Sequence, residues 1–177
     1  KTQSEFEPIE EAETLMATLK IDWDLGDMTL TSVSGYLDFD SISSQDADAT
    51  PLDVLTTAFS TPSEQFSQEI RLSSNSDGPL EWVVGAYYFT EDLSTSNTIT
   101  TRGFGPGFIS GGPVPEALFL DFEQETKTYA LFGQGTYRIN ERLSFTAGLR
   151  WTWEDKETVN DSIVFDTTAF PSGAILP

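Results

Sequence analysis

Between Arg142 and Glu157 the chain reads Arg-Leu-Ser-Phe-Thr-Ala-Gly-Leu-Arg-Trp-Thr-Trp-Glu-Asp-Lys-Glu. Leu143, Phe145, Ala147, Leu149, Trp151 and Trp153 alternate with small, polar or charged residues. A period of two is the mark of a strand with one apolar face. The stretch exceeds the usual strand of about five or six residues, and its apolar row ends in two tryptophans. Such a face suits hydrocarbon, with aromatic rings at the level of lipid headgroups.

The same alternation predicts an all-β chain with about six strands, at 14–24, 28–40, 65–73, 80–93, 126–139 and 142–156. In the first, Leu15, Ala17, Leu19, Ile21 and Trp23 share a face; in the third, Phe66, Ile70 and Leu72 oppose Gln65, Ser67, Glu69 and Arg71. In the fifth, Tyr129, Leu131, Tyr137 and Ile139 oppose Thr128, Phe132, Thr136 and Arg138. The strand at 28–40 admits two facings, one presenting Met28, Leu30 and Tyr36, the other Val33, Leu37 and Phe39. The strand at 80–93 is apolar on both sides, and Trp82, Val84, Ala86 and Tyr88 are taken as its lipid side.

Leu25-Gly26-Asp27, Asn75 to Gly78 and Asn140-Glu141 have the residues of tight turns, whereas 41–62, 94–122 and 158–177 read as long loops. Short and long connections thus alternate, as in an up-and-down membrane barrel with tight turns on one side and long loops on the other. Trp23, Trp82 and Tyr137 lie near the short turns, and Tyr36, Phe66, Tyr88, Tyr129, Trp151 and Trp153 toward the long loops. Two aromatic girdles are expected. Tyr129 to Tyr137 spans about 26 Å at ~3.3 Å per residue, or roughly 20 Å once tilted near 40°, against an apolar band of about 25 Å.

Lys20, Asp22, Glu69, Arg71, Arg138 and Arg150 all fall opposite the apolar rows. A cation at the bilayer midplane costs about 2–4 kcal/mol, and a lumenal position avoids that cost. A soluble antiparallel β-sandwich, secreted or surface-attached and acting as a binding module, has the same alternation and remains the alternative.

Composition narrows the function classes. The 177 residues include 9 basic and 29 acidic ones, a net charge of -20 that repels nucleic-acid phosphate. The absence of Cys and His removes thiolate and imidazole metal ligands and histidine-based triads. No run approaches the roughly 20 apolar residues of a membrane helix, and the first residues do not resemble a signal peptide.

Candidate chemistry is sparse. Asp46-Ala47-Asp48 lacks the rest of a calcium loop, and Gly103-Phe104-Gly105-Pro106-Gly107 lacks the Lys-Ser/Thr of a phosphate loop. Glu91-Asp92 and Glu154-Asp155 point to opposite faces of their strands, so neither forms an acid–base pair. Asn160-Asp161-Ser162 is a sequon match of the kind expected by chance. No enzymatic activity, cofactor or metal site is expected. Glu69, Arg71, Arg138 and Arg150 are candidates either to contact a substrate route or an inserted domain, or to form ion pairs within the wall. Phe104 and Phe108 are candidate loop contacts for a substrate.

Phe66-Ser67-Gln68-Glu69-Ile70-Arg71-Leu72-Ser73-Ser74, followed by Trp82-Val83-Val84-Gly85-Ala86-Tyr87-Tyr88, resembles a strand pair from the barrels of TonB-dependent outer-membrane receptors. Tyr129-Ala130-Leu131-Phe132-Gly133-Gln134-Gly135-Thr136-Tyr137 and Leu143 to Trp151 resemble a second hairpin of that family. The resemblance implies an antiparallel transmembrane β-barrel of 22 strands around an N-terminal plug, importing a scarce nutrient with energy from the inner membrane. Ferric siderophores or other metal complexes are then the expected substrates. The expected partners are outer-membrane lipid, the plug, the remaining barrel strands and the TonB complex, reached through the N-terminal part. No TonB-box-like start, plug or terminal aromatic strand end is recognisable, so the chain is expected to be an internal segment of the barrel domain of a larger receptor.

Overall fold

The computed structural model describes residues 8–47, 55–75, 78–101 and 117–165. Over these residues the chain is one antiparallel sheet of seven strands: β1 (Ile9–Asp24), β2 (Met28–Asp46), β3 (Leu55–Ser60), β4 (Ser63–Ser74), β5 (Leu80–Thr101), β6 (Ala117–Asn140) and β7 (Leu143–Phe165). Both β3 and β4 lie between β2 and β5, and their registers on those neighbours run on unshifted from one to the other. They are two sections of a single strand, interrupted at Thr61-Pro62. Thr61 N still donates to Ser41 O (2.9 Å) and Pro62 O accepts from Ser94 N (3.0 Å). Pro62 has no N–H to return, which opens the ladder at one point without displacing the strand.

The strands follow one another up and down in chain order, but they are longer than the alternation predicts. β1 begins at Ile9 instead of 14, β2 continues to Asp46 instead of 40, and β5 reaches Thr101 instead of 93. β6 begins at Ala117 instead of 126, and β7 runs to Phe165 instead of 156. Much of what reads as long loop at 41–62, 94–122 and 158–177 is therefore strand. The extensions of β2 and β5 are rich in Ser and Thr without a row of alternating apolar residues, so hydropathy has no period there, while β-branched Thr still favours an extended backbone; at the start of β6, Ala117 to Leu120 is apolar on both faces, which also hides the period. Phe104, Phe108 and Asp48 lie outside the described residues.

Register assigns the faces, because directly opposed residues of an antiparallel pair share a side. Trp23, Leu30, Leu72, Val84, Gly133 and Leu149 form one row across the sheet, and Ile21, Ser32, Ile70, Ala86, Leu131 and Trp151 the next. This face therefore takes Met28, Leu30 and Tyr36 from β2, and Trp82, Val84, Ala86 and Tyr88 from β5. It is open: Tyr129 is 50% and Leu131 57% exposed, whereas Ala130 between them is 2% exposed. The buried residues among those described, Thr31, Ser63, Thr126 and Ala130, all belong to the other face, which is the more sheltered one. With Ala130 the single buried apolar residue among those described, the sheet has no core of the globular kind, and its apolar surface is directed outward.

The open face manages its few polar groups internally. Gln68, in the row of Leu19, Tyr88, Tyr129 and Trp153, accepts from Ser34 Oγ (2.5 Å) and donates to Ser32 Oγ (2.9 Å). Pairing of this kind keeps polar atoms satisfied in an apolar setting.

The β1–β2 turn needs a left-handed residue, and Gly26 provides it with φ 88°. Leu25 N donates to Met28 O (2.9 Å), and Gly26 N donates to Asp24 Oδ1 (2.8 Å). A Cβ at Gly26 meets no atom within 4 Å, so the penalty for substitution is conformational only. Gly26→Ala is expected to destabilise the hairpin by about 1 kcal/mol and Gly26→Asn by less. Urea titration of the full-length protein, read by tryptophan fluorescence, measures the order; equal stability of Ala and Gly at this position contradicts it.

Candidate functional site on the sheltered face

Between the short turns and the aromatic residues, the charged strand residues gather on the sheltered face. One row joins Asp22, Thr31, Arg71, Gly85, Phe132 and Arg150; the next joins Lys20, Val33, Glu69, Tyr87, Ala130 and Thr152. Lys20 Nζ pairs with Asp22 Oδ2 at 2.7 Å, and Asp22 Oδ1 accepts from Thr31 Oγ1 at 2.7 Å. Arg71 Nη1 lies 3.3 Å from Glu69 Oε1. Both ion pairs join residues two apart on one strand, which alternation places side by side.

The four candidate residues divide. Glu69 and Arg71 pair with each other, and Arg138 pairs with Glu81 across β5 and β6. Arg150 has no such carboxylate among the described residues. Its guanidinium carbon stands 5.7 Å from the Tyr87 ring centroid and 5.8 Å from that of Phe132, and its Nε donates to Thr152 Oγ1 (3.2 Å). The ring faces hold the cation by their quadrupoles, worth about 0.5–1 kcal/mol at an exposed site. Tyr87, Phe132 and Glu81 escape a reading of the sequence because their roles depend on register between strands.

Gly85 explains where the Phe132 ring lies. A Cβ built at Gly85 collides with Phe132 Cζ and comes within 2.9 Å of Ile70 O. The ring covers the bare backbone of the neighbouring strand, the device by which aromatics compensate strand glycines.

Along the strands, the character of both faces changes at the aromatic residues. Phe66 and Tyr88 have centroids 6.4 Å apart, Tyr88 and Tyr129 are 5.1 Å apart, and Trp151 stacks on Trp153 at 5.1 Å. Beyond them the open face is acidic: Asp38, Glu64, Asp92, Glu125 and Glu157 are directly aligned across the sheet. Among the described residues no group of three or more His, Cys, Asp or Glu is placed to hold a metal ion.

A family model described as "TonB dependent receptor-like, beta-barrel" matches residues 4–176. Among solved structures, the chain is similar to the ferric yersiniabactin uptake receptor FyuA from Yersinia pestis, with a TM-score of 0.66 and 16% sequence identity. That match covers 89% of this chain and 25% of the receptor chain, so the present sequence spans about a quarter of that receptor's length. At this identity the likeness is one of fold.

Gly85→Ala is expected to destabilise the protein by about 1–3 kcal/mol, because the methyl overpacks Phe132 and the Ile70 carbonyl. In the double variant Gly85→Ala/Phe132→Leu the loss should be smaller than the sum of the single losses by more than about 0.5 kcal/mol. Additive losses in chemical denaturation show that Phe132 does not cover Gly85.

Proposed function

The chain belongs to the TonB-dependent receptor β-barrel family, and from that premise we propose that it is wall of an outer-membrane transporter that imports a scarce nutrient, with a ferric siderophore or another metal complex as cargo. The observation that carries the reading is the division of the sheet by register. One face carries apolar rows ending in aromatics, while the other carries Lys20, Asp22, Glu69, Arg71 and Arg150. An outward apolar face with Leu149 78% exposed is unfavourable in water and favourable in hydrocarbon.

Several features support the arrangement. The strands between β1 and β7 are paired on both sides, the form that hydrocarbon requires, and the free sides of β1 and β7 call for further strands. Partner strands and an inserted plug domain from the same receptor fill those roles in this proposal, and the TonB complex supplies energy through another part of the polypeptide. Arg150, held on two rings and lacking a carboxylate within the described wall, is suited to meet a group inside the barrel. The similarity to a ferric yersiniabactin uptake receptor favours a metal complex as cargo.

Leu149→Arg is expected to cost about 2–4 kcal/mol by placing a cation in the apolar band, whereas Thr146→Arg on the opposite face should cost far less. Folding into lipid vesicles, followed by heat-modifiable migration on gels, compares the two; equal folding of both variants is incompatible with the assigned membrane face. In cells, Arg150→Gln is expected to lower iron accumulation from a ferric siderophore at least several-fold at unchanged surface level. Deletion of the whole receptor that leaves accumulation of every iron complex unaltered would sink the transport reading.

A further inference from the structure

Beyond the aromatic girdle the two faces exchange character. From Ala117 to Tyr129, β6 rises about 40 Å at ~3.3 Å per residue, accompanied by the ends of β2, β5 and β7 and by β3. On the open side of this extension lie Asp40, Asp92, Asp121, Glu123, Glu157 and Asp161. The sheltered side carries none of these charges: β3 gives Leu55, Thr57 and Phe59, β5 gives Leu93, Thr95, Asn97 and Ile99, and β6 gives Leu118, Leu120 and Phe122. Ser41, Ser43 and Gln45 of β2, with Thr158, Asn160 and Ser162 of β7, complete it. Beyond the row of Leu93, Gln124 and Thr158, Glu10 of the edge strand, opposite Ser43, is the one charged residue of this side among those described, while Glu91, Glu154 and Lys156 lie on the same side closer to the girdle. At bilayer level the reverse holds, with charge inside and apolar residues outside.

A cavity of about 270 Å³ opens on the extension, lined from the sheltered face by Thr95, Asn97, Leu120, Phe122, Asn160 and Ser162. Asp121 and Asp161 also border it, but strand alternation assigns their carboxylates to the other side. Leu120 is directly opposite Asn97 and Ser162, and Phe122 opposite Thr95 and Asn160. An apolar centre is thus flanked on both sides by amides and hydroxyls, the composition of a site for a small organic molecule. Asn97 Oδ1 and Thr57 Oγ1 are buried without a hydrogen-bond partner, and Phe59, two residues from Thr57, is directly opposite Asn97. A buried acceptor left unmatched is costly, and a ligand N–H or O–H relieves that cost.

We propose that this surface is an outer binding subsite for an uncharged small molecule with an aryl or alkyl part and amide or hydroxyl donors. The inference rests on the transport reading and narrows its cargo: the complex that first docks here carries no net charge, its metal balanced by its own chelator. A polyanionic complex finds a single cation on this side among the described residues, Lys156 at its foot, set against Glu91 and Glu154, and meets the field of a chain with net charge -20.

The test uses the full-length receptor in detergent and three probes: a neutral ferric trihydroxamate, a trianionic ferric tricatecholate and a neutral oligosaccharide. Kd is measured by tryptophan quenching, with Asn97→Ala and Phe122→Ala as variants whose surface level and heat-modifiable migration are checked. At least one neutral probe is expected to bind tenfold or more tighter than the trianion, and each substitution should weaken it at least fivefold. Tighter binding of the trianion, binding of neither neutral probe, or an unmoved Kd in both variants overturns the subsite. Import of the trianion would remove the subsite but leave metal-complex transport standing, whereas binding of the oligosaccharide alone keeps the subsite and removes the metal complex.

Discussion

Everything in this sheet depends on the backbone ladder holding one register over long strands. A slip of one residue would exchange the faces of a strand. Leu149 and Trp151 would then project among the charges of the sheltered side, and Arg150 would enter the apolar row. The ladder also disposes of the peptide groups, which in hydrocarbon have no water to fall back on. The extent of pairing between β5 and β6, from Leu80–Tyr137 to Thr100–Ala117 without a shift, therefore both satisfies the backbone and carries one choice of faces from the short turns to the far ends.

Given that register, the side chains need little further organisation. The ion pairs within β4 and within β1 are exposed contacts worth about 0.2–1 kcal/mol each, so they do not hold the wall together. They keep charge compensated on the side where charge is tolerated. The same economy explains Gln68 with Ser32 and Ser34, which face outward and satisfy one another. Arg150 departs from it, since its partners within the described wall are rings and a hydroxyl.

The parts of the fold legible in the sequence are those where one face is apolar and the other is not. Residues 142–156 and 14–24 meet that condition, and the period of two alone places their faces. For 28–40 and 80–93 the period is ambiguous, and only the pairing of Leu30 with Trp23 and Leu72, and of Val84 with Leu72 and Gly133, assigns them. The extensions of β2 and β5 are illegible for a different reason: Ser- and Thr-rich strand without apolar alternation resembles loop. Pro62, which reads as a loop residue, instead interrupts a strand that continues through it. Of the candidate site, the charged residues were visible through their position opposite the apolar row. Their partners Glu81, Tyr87 and Phe132 were not, because nothing local distinguishes a strand aromatic beneath a guanidinium from one facing lipid.

The extension also shows why the acidic composition is a poor guide to what binds. Taken over the chain, a charge of -20 suggests a cation or cationic ligand. Resolved by register, most of the described carboxylates beyond the girdle belong to the outward side, where Asp38, Glu64, Asp92, Glu125 and Glu157 align. The sheltered side carries Phe59, Leu120, Phe122 and Asn97 instead. Net charge sets the long-range field that an approaching solute feels, whereas the groups that meet it at contact are neutral donors, acceptors and rings. A solute that carries no charge crosses that field without penalty and finds complementary chemistry at its end; an anion is opposed by the field and meets one cation, Lys156, outnumbered by Glu91 and Glu154 on the same side.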